Sequence, residues 1–133
     1  MRLLVDTNVL TPLAEEELKP LNSALRECLS DPETLLYASV ASLWEIAIKS
    51  RIGKLKFKTE LALLAQSLQD MDISLLMIDE RHVLAEVFPE PDTRDPFDRL
   101  LLAQCKVEDM RLITLDRALA AHPLAWRAEI QSS

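Results

Sequence analysis

The sequence contains one glycine, two cysteines and two histidines among its 133 residues, and these scarcities exclude several classes of site. Neither a P-loop nor the glycine-rich fingerprint of a dinucleotide-binding domain can be written with Gly53 alone. The cysteines and histidines do not have the spacing of a tetrahedral zinc site. Any metal ion bound by this chain is therefore expected to be held by oxygen.

Long apolar runs are also absent. No stretch approaches the ~20 apolar residues that span a bilayer, so no membrane partner is expected. Asp6 interrupts the first apolar run too early for a secretory signal, and two unpatterned cysteines favour the cytoplasm. The length predicts a single domain over residues 1–133. The apolar share of 49% is typical of a folded chain with a substantial core.

Acidic side chains outnumber basic ones by 22 to 15, which gives a net charge of −7 and argues against a broad nucleic-acid-binding surface. Residues 49–58 are an exception, since they contain no acid. Their basic residues are Lys49, Arg51, Lys54, Lys56 and Lys58. This segment is either a solvated helix end, where cations complement the helix dipole, or a strip that contacts RNA phosphates. Arg99 can likewise pair with a phosphate or with a neighbouring acid.

Short apolar runs alternate with helical patterns along the chain. The predicted strands are 3–5, 35–38, 73–78 and 112–115, with 124–126 as a candidate fifth. The predicted helices are 18–29, Ser39 to Gly53, Thr59 to 69, 80–87, Pro96 to 109 and a short helix after Asp116. This alternation predicts an α/β fold, with a central parallel sheet of four to five strands flanked by helices on both faces.

Four carboxylates fall where such a fold concentrates its working groups. Asp6 and Asp116 follow strands, and Glu45 and Asp98 lie early in helices. Strand ends and helix starts share one edge of a parallel α/β sheet, so the four side chains are predicted to converge there.

Convergence of four carboxylates has an electrostatic consequence. Two like charges about 5 Å apart repel by roughly 3 kcal/mol at an effective dielectric near 20. Such a cluster must hold protons at raised pKa values or bind cations, and hard oxygen ligands suit Mg²⁺ or Mn²⁺. A hydrated divalent ion shields a phosphodiester and orients water, so the predicted chemistry is metal-assisted hydrolysis of a phosphate ester.

Each of these acids also has a local explanation. Asp6 and Asp116 can cap the helices that follow them, and Asp95 can cap a helix in which Asp98 complements the dipole. Ser42 and Glu45 match a capping box, but a helix beginning near Ser39 places Glu45 in its second turn, too late for that role. Glu45 then lies beside the buried stripe, where an acid needs a partner.

Several other residues are expected to be structural. Trp44 and Phe97 lie on helical apolar stripes and are predicted to be in the core. His82 is predicted to lie on the surface, and Asp79 to cap a helix.

Four segments together resemble the PIN-domain ribonucleases and, more narrowly, the VapC-type toxins of type II toxin–antitoxin systems. They are LLVDTN (3–8), SVASLWEIAIK (39–49), RDPFDRLLLAQ (94–104) and TLDR (114–117). They occur in the order and spacing of that family, between Leu3 and about Leu119. The resemblance implies a central parallel sheet and an acidic pocket that binds Mg²⁺ or Mn²⁺.

The resemblance also implies roles for individual residues. The implied catalytic and metal-binding quartet is Asp6, Glu45, Asp98 and Asp116. Thr114 would hydrogen-bond a water on the metal, and Asp95 matches the subgroup motif in a role that is either structural or functional. The implied activity is RNA cleavage by a homodimer, silenced by a cognate antitoxin that covers the pocket. An antitoxin arginine would there replace the charge of the metal ions.

Two positions depart from many relatives, which carry histidine where this chain has Asn8 and Thr93. These departures bear on substrate choice or pocket polarity. Two other functions stay open. A phosphatase of the haloacid dehalogenase type also begins with an acid after its first strand, but it needs a second aspartate at the position of Asn8. A non-catalytic PIN-like interaction module would usually lack the acids.

Overall fold

The computed structural model of the chain describes residues 1–128, and within them it contains four strands and seven helices. The strands are β1 (Arg2–Val5), β2 (Leu35–Ser39), β3 (Ile73–Leu76) and β4 (Arg111–Ile113). The helices are α1 (Thr7–Ala14), α2 (Ser23–Ser30), α3 (Val40–Arg51), α4 (Leu61–Asp70), α5 (Glu80–Leu84), α6 (Pro96–Glu108) and α7 (Arg117–Ala120). None of them combines the length and the apolar character that crossing a membrane requires.

The four strands form one parallel sheet in the order β3-β2-β1-β4, which confirms the predicted α/β class. Leu4 of β1 pairs with Tyr37 on one side and Leu112 on the other. Successive side chains of a strand point to opposite faces of the sheet. Leu3 and Val5 accordingly enter one hydrophobic cluster and Leu4 enters the other. Both faces of the sheet are therefore covered by core.

The helices divide between these two clusters. The first takes buried side chains from α1 to α4: Val9, Leu10, Leu25, Ile46, Leu64 and Leu68. The second takes them from α6 and α7: Leu101, Leu102, Ala103, Cys105 and Leu119. Glycine is required once for backbone conformation, at Gly53, whose φ of +77° ends α3 as predicted.

Several predicted boundaries are wrong for local reasons. The helix predicted over 18–29 begins at Ser23, because the Asn22 side chain caps it by accepting the Leu25 amide at 2.9 Å. The helix that Asp6 is expected to cap is α1, for which the sequence pattern gives no bounds; it contains Pro12, a residue that lacks an amide hydrogen. Glu60, not Thr59, precedes α4 as its N-cap, and the Thr59 hydroxyl donates instead to Glu15 Oε2 at 3.1 Å.

The remaining differences shorten or shift elements. The strand predicted over 73–78 ends at Leu76, and the helix predicted over 80–87 ends at Leu84. The last strand is Arg111–Ile113 instead of 112–115, so a loop separates it from Asp116. The candidate fifth strand at 124–126 is a single parallel bridge between Leu112 and Ala125.

Helix α3 buries a different face from the one its apolar pattern predicts. Its buried residues are Ala41, Ser42, Glu45 and Ile46. Trp44, predicted to be in the core, is 63% exposed, which makes that prediction wrong. Its ring meets the partly buried Phe97 edge to face, with centroids 5.6 Å apart. Glu45 is therefore buried in α3, whereas the apolar period predicts burial of the adjacent Trp44.

His82 is also placed differently from the prediction, since only 2% of it is exposed. Its Nδ1 accepts the backbone amide of Asp79 at 3.0 Å, which completes a capping box at the start of α5. Its Nε2 lies 2.7 Å from Glu108 Oε2 at the end of α6. Asp79 is the N-cap, as predicted. The imidazole therefore joins α5 to α6.

We expect His82→Leu to lower the free energy of unfolding by about 2 kcal/mol, because it leaves the Asp79 amide and the Glu108 carboxylate without this partner. Urea denaturation measures the change. Val83→Ala is the matched control on the same helix, since Val83 is 63% exposed. Equal stability of the two variants would show that the imidazole contacts contribute nothing.

Candidate active site

The four predicted acids line one cavity of about 240 Å³. Asp6 directly follows β1, and its amide donates to Ile113 O at 2.9 Å, which extends the pairing of β1 with β4 by one residue. The complete lining is Asp6, Thr7, Asn8, Thr11, Glu45, Lys49, Leu55, Asp95, Asp98 and Asp116. Among the predicted supporting residues, Asn8, Asp95 and Lys49 belong to this lining. Thr114, Arg51, Lys54, Lys56 and Arg99 lie outside it.

Asp6 is held on both of its carboxylate oxygens and is only 3% exposed. The Thr7 amide donates to Oδ1 at 2.8 Å, and Thr114 Oγ1 donates to Oδ2 at 2.6 Å. Burial raises the pKa of Asp6, these two hydrogen bonds oppose the rise, and the charges of Glu45 and Asp116 add to it. Asp6 is thus a fixed acceptor in a region that is already negative.

The loop between β4 and α7 is tied to α1 through Thr114 and Asn8. The Thr114 hydroxyl accepts the Asp116 amide at 3.0 Å and the Asn8 side-chain amide at 3.4 Å. Asn8 Oδ1 accepts the Leu115 amide at 3.0 Å. The single hydroxyl proton of Thr114 goes to Asp6. This network fixes the position of Asp116 relative to Asp6 although the strand ends three residues before Asp116.

Glu45 is 7% exposed and lies in the second turn of α3, as predicted. Thr7 Oγ1 donates to Oε1 at 2.7 Å, and Lys49 Nζ donates to Oε2 at 2.6 Å. Ser42 does not form a capping box with it: Ser39 caps the helix, and Ser42 Oγ is among the buried atoms without a hydrogen-bond partner. Glu45 is therefore a buried acid with two partners, as an acid in this position requires.

Lys49 is the single cationic side chain among the described residues that line the cavity. Its hydrogen bond to Glu45 raises the pKa of the Lys49 ammonium, partial burial opposes this, and the charges of Glu45, Asp95 and Asp98 add to it. The ammonium therefore stays protonated at neutral pH and partly balances the surrounding carboxylates.

Asp98 projects from the first turn of α6, where Thr93 Oγ1 donates to its Oδ2 at 2.9 Å. Desolvation raises the pKa of Asp98 to about 6; the Thr93 hydrogen bond opposes the rise, and the charges of Asp95, Asp6 and Asp116 add to it. The sequence does not reveal this contact, because Thr93 lies in a loop five residues before its acceptor.

Three of the acids that line the cavity are also the N-caps of helices. Asp6 caps α1, Asp95 caps α6 by accepting the Phe97 amide at 2.9 Å, and Asp116 caps α7 by accepting the Ala118 and Leu119 amides at 2.8 and 3.1 Å. The N-termini of these helices favour negative charge. The helix caps therefore bring the carboxylates to one place and partly stabilise them there.

The tightest group of potential metal ligands lies elsewhere. Among residues 1–128, three His, Cys, Asp or Glu side chains bring ligand atoms within 4.8 Å of one another only at Asp79, His82 and Glu108. Such an acidic cluster could hold a metal ion. The Arg81 guanidinium already pairs there with Asp79 Oδ2 at 2.8 Å and with Glu108 Oε2 at 3.1 Å. Charge and hydrogen bonds at this cluster are therefore satisfied by protein groups.

The carboxylates of the cavity are spaced more widely than that group. All of their ligand atoms are oxygen, and they line a space large enough for water. The lining contains five acids and one ammonium, that of Lys49. A hard cation that keeps several of its waters fits such a donor set, as Mg²⁺ commonly does. Arg99, by contrast, pairs with Glu90, which makes an acid its partner in this structure.

The raised pKa of Asp98 predicts that stability falls with rising pH. The folded chain binds this proton more tightly than the unfolded chain, so its stabilising effect is complete below about pH 4 and is lost as pH rises through about 6. We expect Asp98→Asn to raise the melting temperature in chelator-containing buffer at pH 7.5 by about 3 °C, corresponding to ~1 kcal/mol after allowance for solvent screening. The difference in melting temperature between Asp98→Asn and the wild type should be smaller at pH 4.5.

Scanning calorimetry between pH 4.5 and 8 measures this effect. Asp92→Asn is the matched control, since Asp92 is exposed and lies outside the cavity lining. Parallel pH profiles for the wild type and Asp98→Asn would show that the pKa of Asp98 is not raised in the folded chain.

Comparison with known proteins agrees with this geometry. No curated protein matches the chain. Residues 3–123, nearly the whole chain, match the PIN domain. PIN domains are generally nucleases, so the match and the carboxylate-lined cavity point to the same class of chemistry. The chain belongs to the PIN domain family.

Proposed function

We propose that this chain is a metal-dependent endoribonuclease that hydrolyses RNA phosphodiester bonds. The observation that carries the proposal is the lining of one cavity by five acids, four of which are the predicted quartet. Asp6, Glu45, Asp98 and Asp116 would hold Mg²⁺ or Mn²⁺ there. When bound, such an ion shields the phosphodiester charge and lowers the pKa of water.

The protein's own contribution is to fix these acceptors in place before substrate arrives. Thr114 holds Asp6, and Thr7 and Thr93 hold Glu45 and Asp98. We assign Thr114 a positioning role, because its one proton is donated to Asp6. Asp95 orients α6 as its N-cap and adds a negative charge to the cavity lining.

The basic segment supports an RNA substrate. Lys54 and Lys56 are exposed, whereas the intervening Leu55 and the following Phe57 pack against the first hydrophobic cluster. The lysines therefore form a ridge on the solvent side, and Leu55 at its base lines the cavity. We assign this ridge, with Lys49 and Arg51, to the phosphates of RNA that enters the cavity. Arg99 is the weakest member of this set, because it pairs with Glu90.

The biological role that we propose is that of the toxin in a toxin–antitoxin pair. The motifs shared with VapC-type toxins support it, and they imply a homodimer and an antitoxin that inserts an arginine among the carboxylates. The two unpatterned cysteines favour a cytoplasmic location. A non-catalytic PIN-like module is the main alternative. A phosphatase of the dehalogenase type is disfavoured, because the position of its second acid is Asn8, whose side chain bonds Thr114 and Leu115.

We expect purified protein to cleave RNA with Mn²⁺ or Mg²⁺ and to lose this activity in chelator. Asp6→Asn and Asp98→Asn should each lower the cleavage rate by at least about a hundredfold, because each removes a carboxylate from the cation site. Incubation with total RNA, followed by gel analysis, measures cleavage, and Asp92→Asn serves as the control. Full metal-dependent activity in either cavity variant would contradict the assignment of that residue, and binding without any cleavage would favour the interaction module.

The ridge makes a separate prediction about salt. We expect the double variant Lys54→Glu, Lys56→Glu to bind a single-stranded RNA oligonucleotide more weakly and to reduce the steepness of log Kd against log salt by about 1.4, since each lost phosphate interaction removes about 0.7. Fluorescence anisotropy at several salt concentrations measures the slope. Lys19→Glu is the control, at an exposed lysine outside the ridge. An unchanged slope in the double variant would assign these lysines to solubility alone.

A further inference from the structure

The ion pair between Lys49 and Glu45 joins a flexible group to a fixed one. The side chain of Glu45 is 9% exposed and that of Lys49 is 47% exposed, with 2.6 Å between Nζ and Oε2. Glu45 is also held by Thr7 at its other oxygen. If the two groups separate, Lys49 can swing into solvent, whereas Glu45 must stay in the cavity.

The same ion pair lies where the proposed function requires a cation. Both residues line the carboxylate cavity, and Lys49 is the cation already present in its lining. A divalent ion held by the Glu45 carboxylate would share it with the ammonium and would repel the ammonium at short range. The ion and Lys49 therefore compete for one carboxylate.

Lys49 lies next to the residues of the basic ridge. The Lys49 carbonyl accepts the amides of Lys54 and Leu55 at 2.9 and 3.1 Å, so the chain folds back at the end of α3. This turn places the base of the basic ridge directly beside Lys49, and Leu55 lines the cavity with it. An ammonium that leaves Glu45 thus lies between the cavity and the ridge, along the path that we assign to RNA phosphates.

We infer that Lys49 is an exchangeable counter-ion: it neutralises Glu45 until a divalent cation displaces it, and it then binds an RNA phosphate beside the cavity. This inference rests on the proposed function and deepens it. It makes Lys49 a positioning residue that links occupation of the cation site to recognition of the RNA backbone.

The first test is the affinity for Mn²⁺, measured by isothermal titration calorimetry without RNA. We expect Lys49→Met to bind Mn²⁺ about three to ten times more tightly than the wild type, since the ion no longer displaces an ammonium from a partly buried pair. Lys54→Met is the matched control, because it removes the same charge from the ridge without touching Glu45, and we expect its affinity to stay within about twofold. Lys49→Gln should behave as Lys49→Met does and replaces it if the methionine variant does not fold.

The second test is RNA binding with and without Ca²⁺, a divalent ion chosen so that binding can be measured without turnover. In the wild type, Ca²⁺ should steepen the dependence of log Kd on log salt by about 0.7 more than it does in Lys49→Met, which corresponds to one phosphate on a single strand. Lys54→Met should lose one phosphate interaction equally in both conditions. The difference between the two variants separates a phosphate interaction that forms only when the ion is bound from one that is always present.

The outcomes distinguish failure of this inference from failure of the proposed function. If the wild type binds Mn²⁺ and cleaves RNA but Lys49→Met binds Mn²⁺ equally or more weakly, Lys49 does not compete for Glu45 and the inference is overturned. An equal Ca²⁺ effect on the salt slope in the wild type and Lys49→Met also overturns it. If the wild type binds no Mn²⁺ at all, the proposed function itself fails, and this inference fails with it.

Discussion

Negative charge gathered at the carboxyl edge of the sheet is the constraint to which the surrounding hydrogen bonds are adapted. Three threonine hydroxyls each donate to one carboxylate, Thr114 to Asp6, Thr7 to Glu45 and Thr93 to Asp98, at 2.6 to 2.9 Å. Two backbone amides of α7 serve Asp116 in the same way. Hydrogen bonds to charged acceptors are worth more than those between neutral groups, so these bonds offset part of the mutual repulsion. Burial is the main cause of the raised pKa values of Asp6 and Asp98, and the charges of the neighbouring acids add to it.

The position of β1 explains why this edge collects charge. The strand lies between β2 and β4, and its first residue beyond the ladder is Asp6. Helix α3 leaves the neighbouring β2 and returns Glu45 to the same edge, and the loop after β4 does so for Asp116. Parallel pairing sends all of these connections to one side, which is why such folds place ligands there. The parallel connections of the fold thus bring Asp6, Glu45 and Asp116 to one edge of the sheet.

The two acidic clusters differ in how far protein groups compensate their charge. Asp79, His82 and Glu108 lie closer together, yet the guanidinium of Arg81 pairs with both acids and the imidazole bonds to the remaining groups. The cavity has more widely spaced carboxylates, and its lining contains one ammonium, that of Lys49, and five acids. Uncompensated charge, and not spacing alone, therefore distinguishes the candidate active site from a structural network.

Local patterns along the chain are enough to predict the α/β class, the order of strands and helices, and the approach of Asp6, Glu45, Asp98 and Asp116, because apolar periodicity and the polarity of parallel strands are properties of short segments. Packing in three dimensions selects which face of α3 is buried. Glu45 and Ser42 occupy that face and Trp44 is exposed, against the apolar period. Glu45 can be buried there because Thr7 and Lys49 hydrogen-bond its two carboxylate oxygens. Packing also selects the partners of Thr7, Thr93, Thr114 and His82. Those hydrogen bonds join segments up to 108 residues apart, and no pattern along the chain encodes which hydroxyl meets which carboxylate.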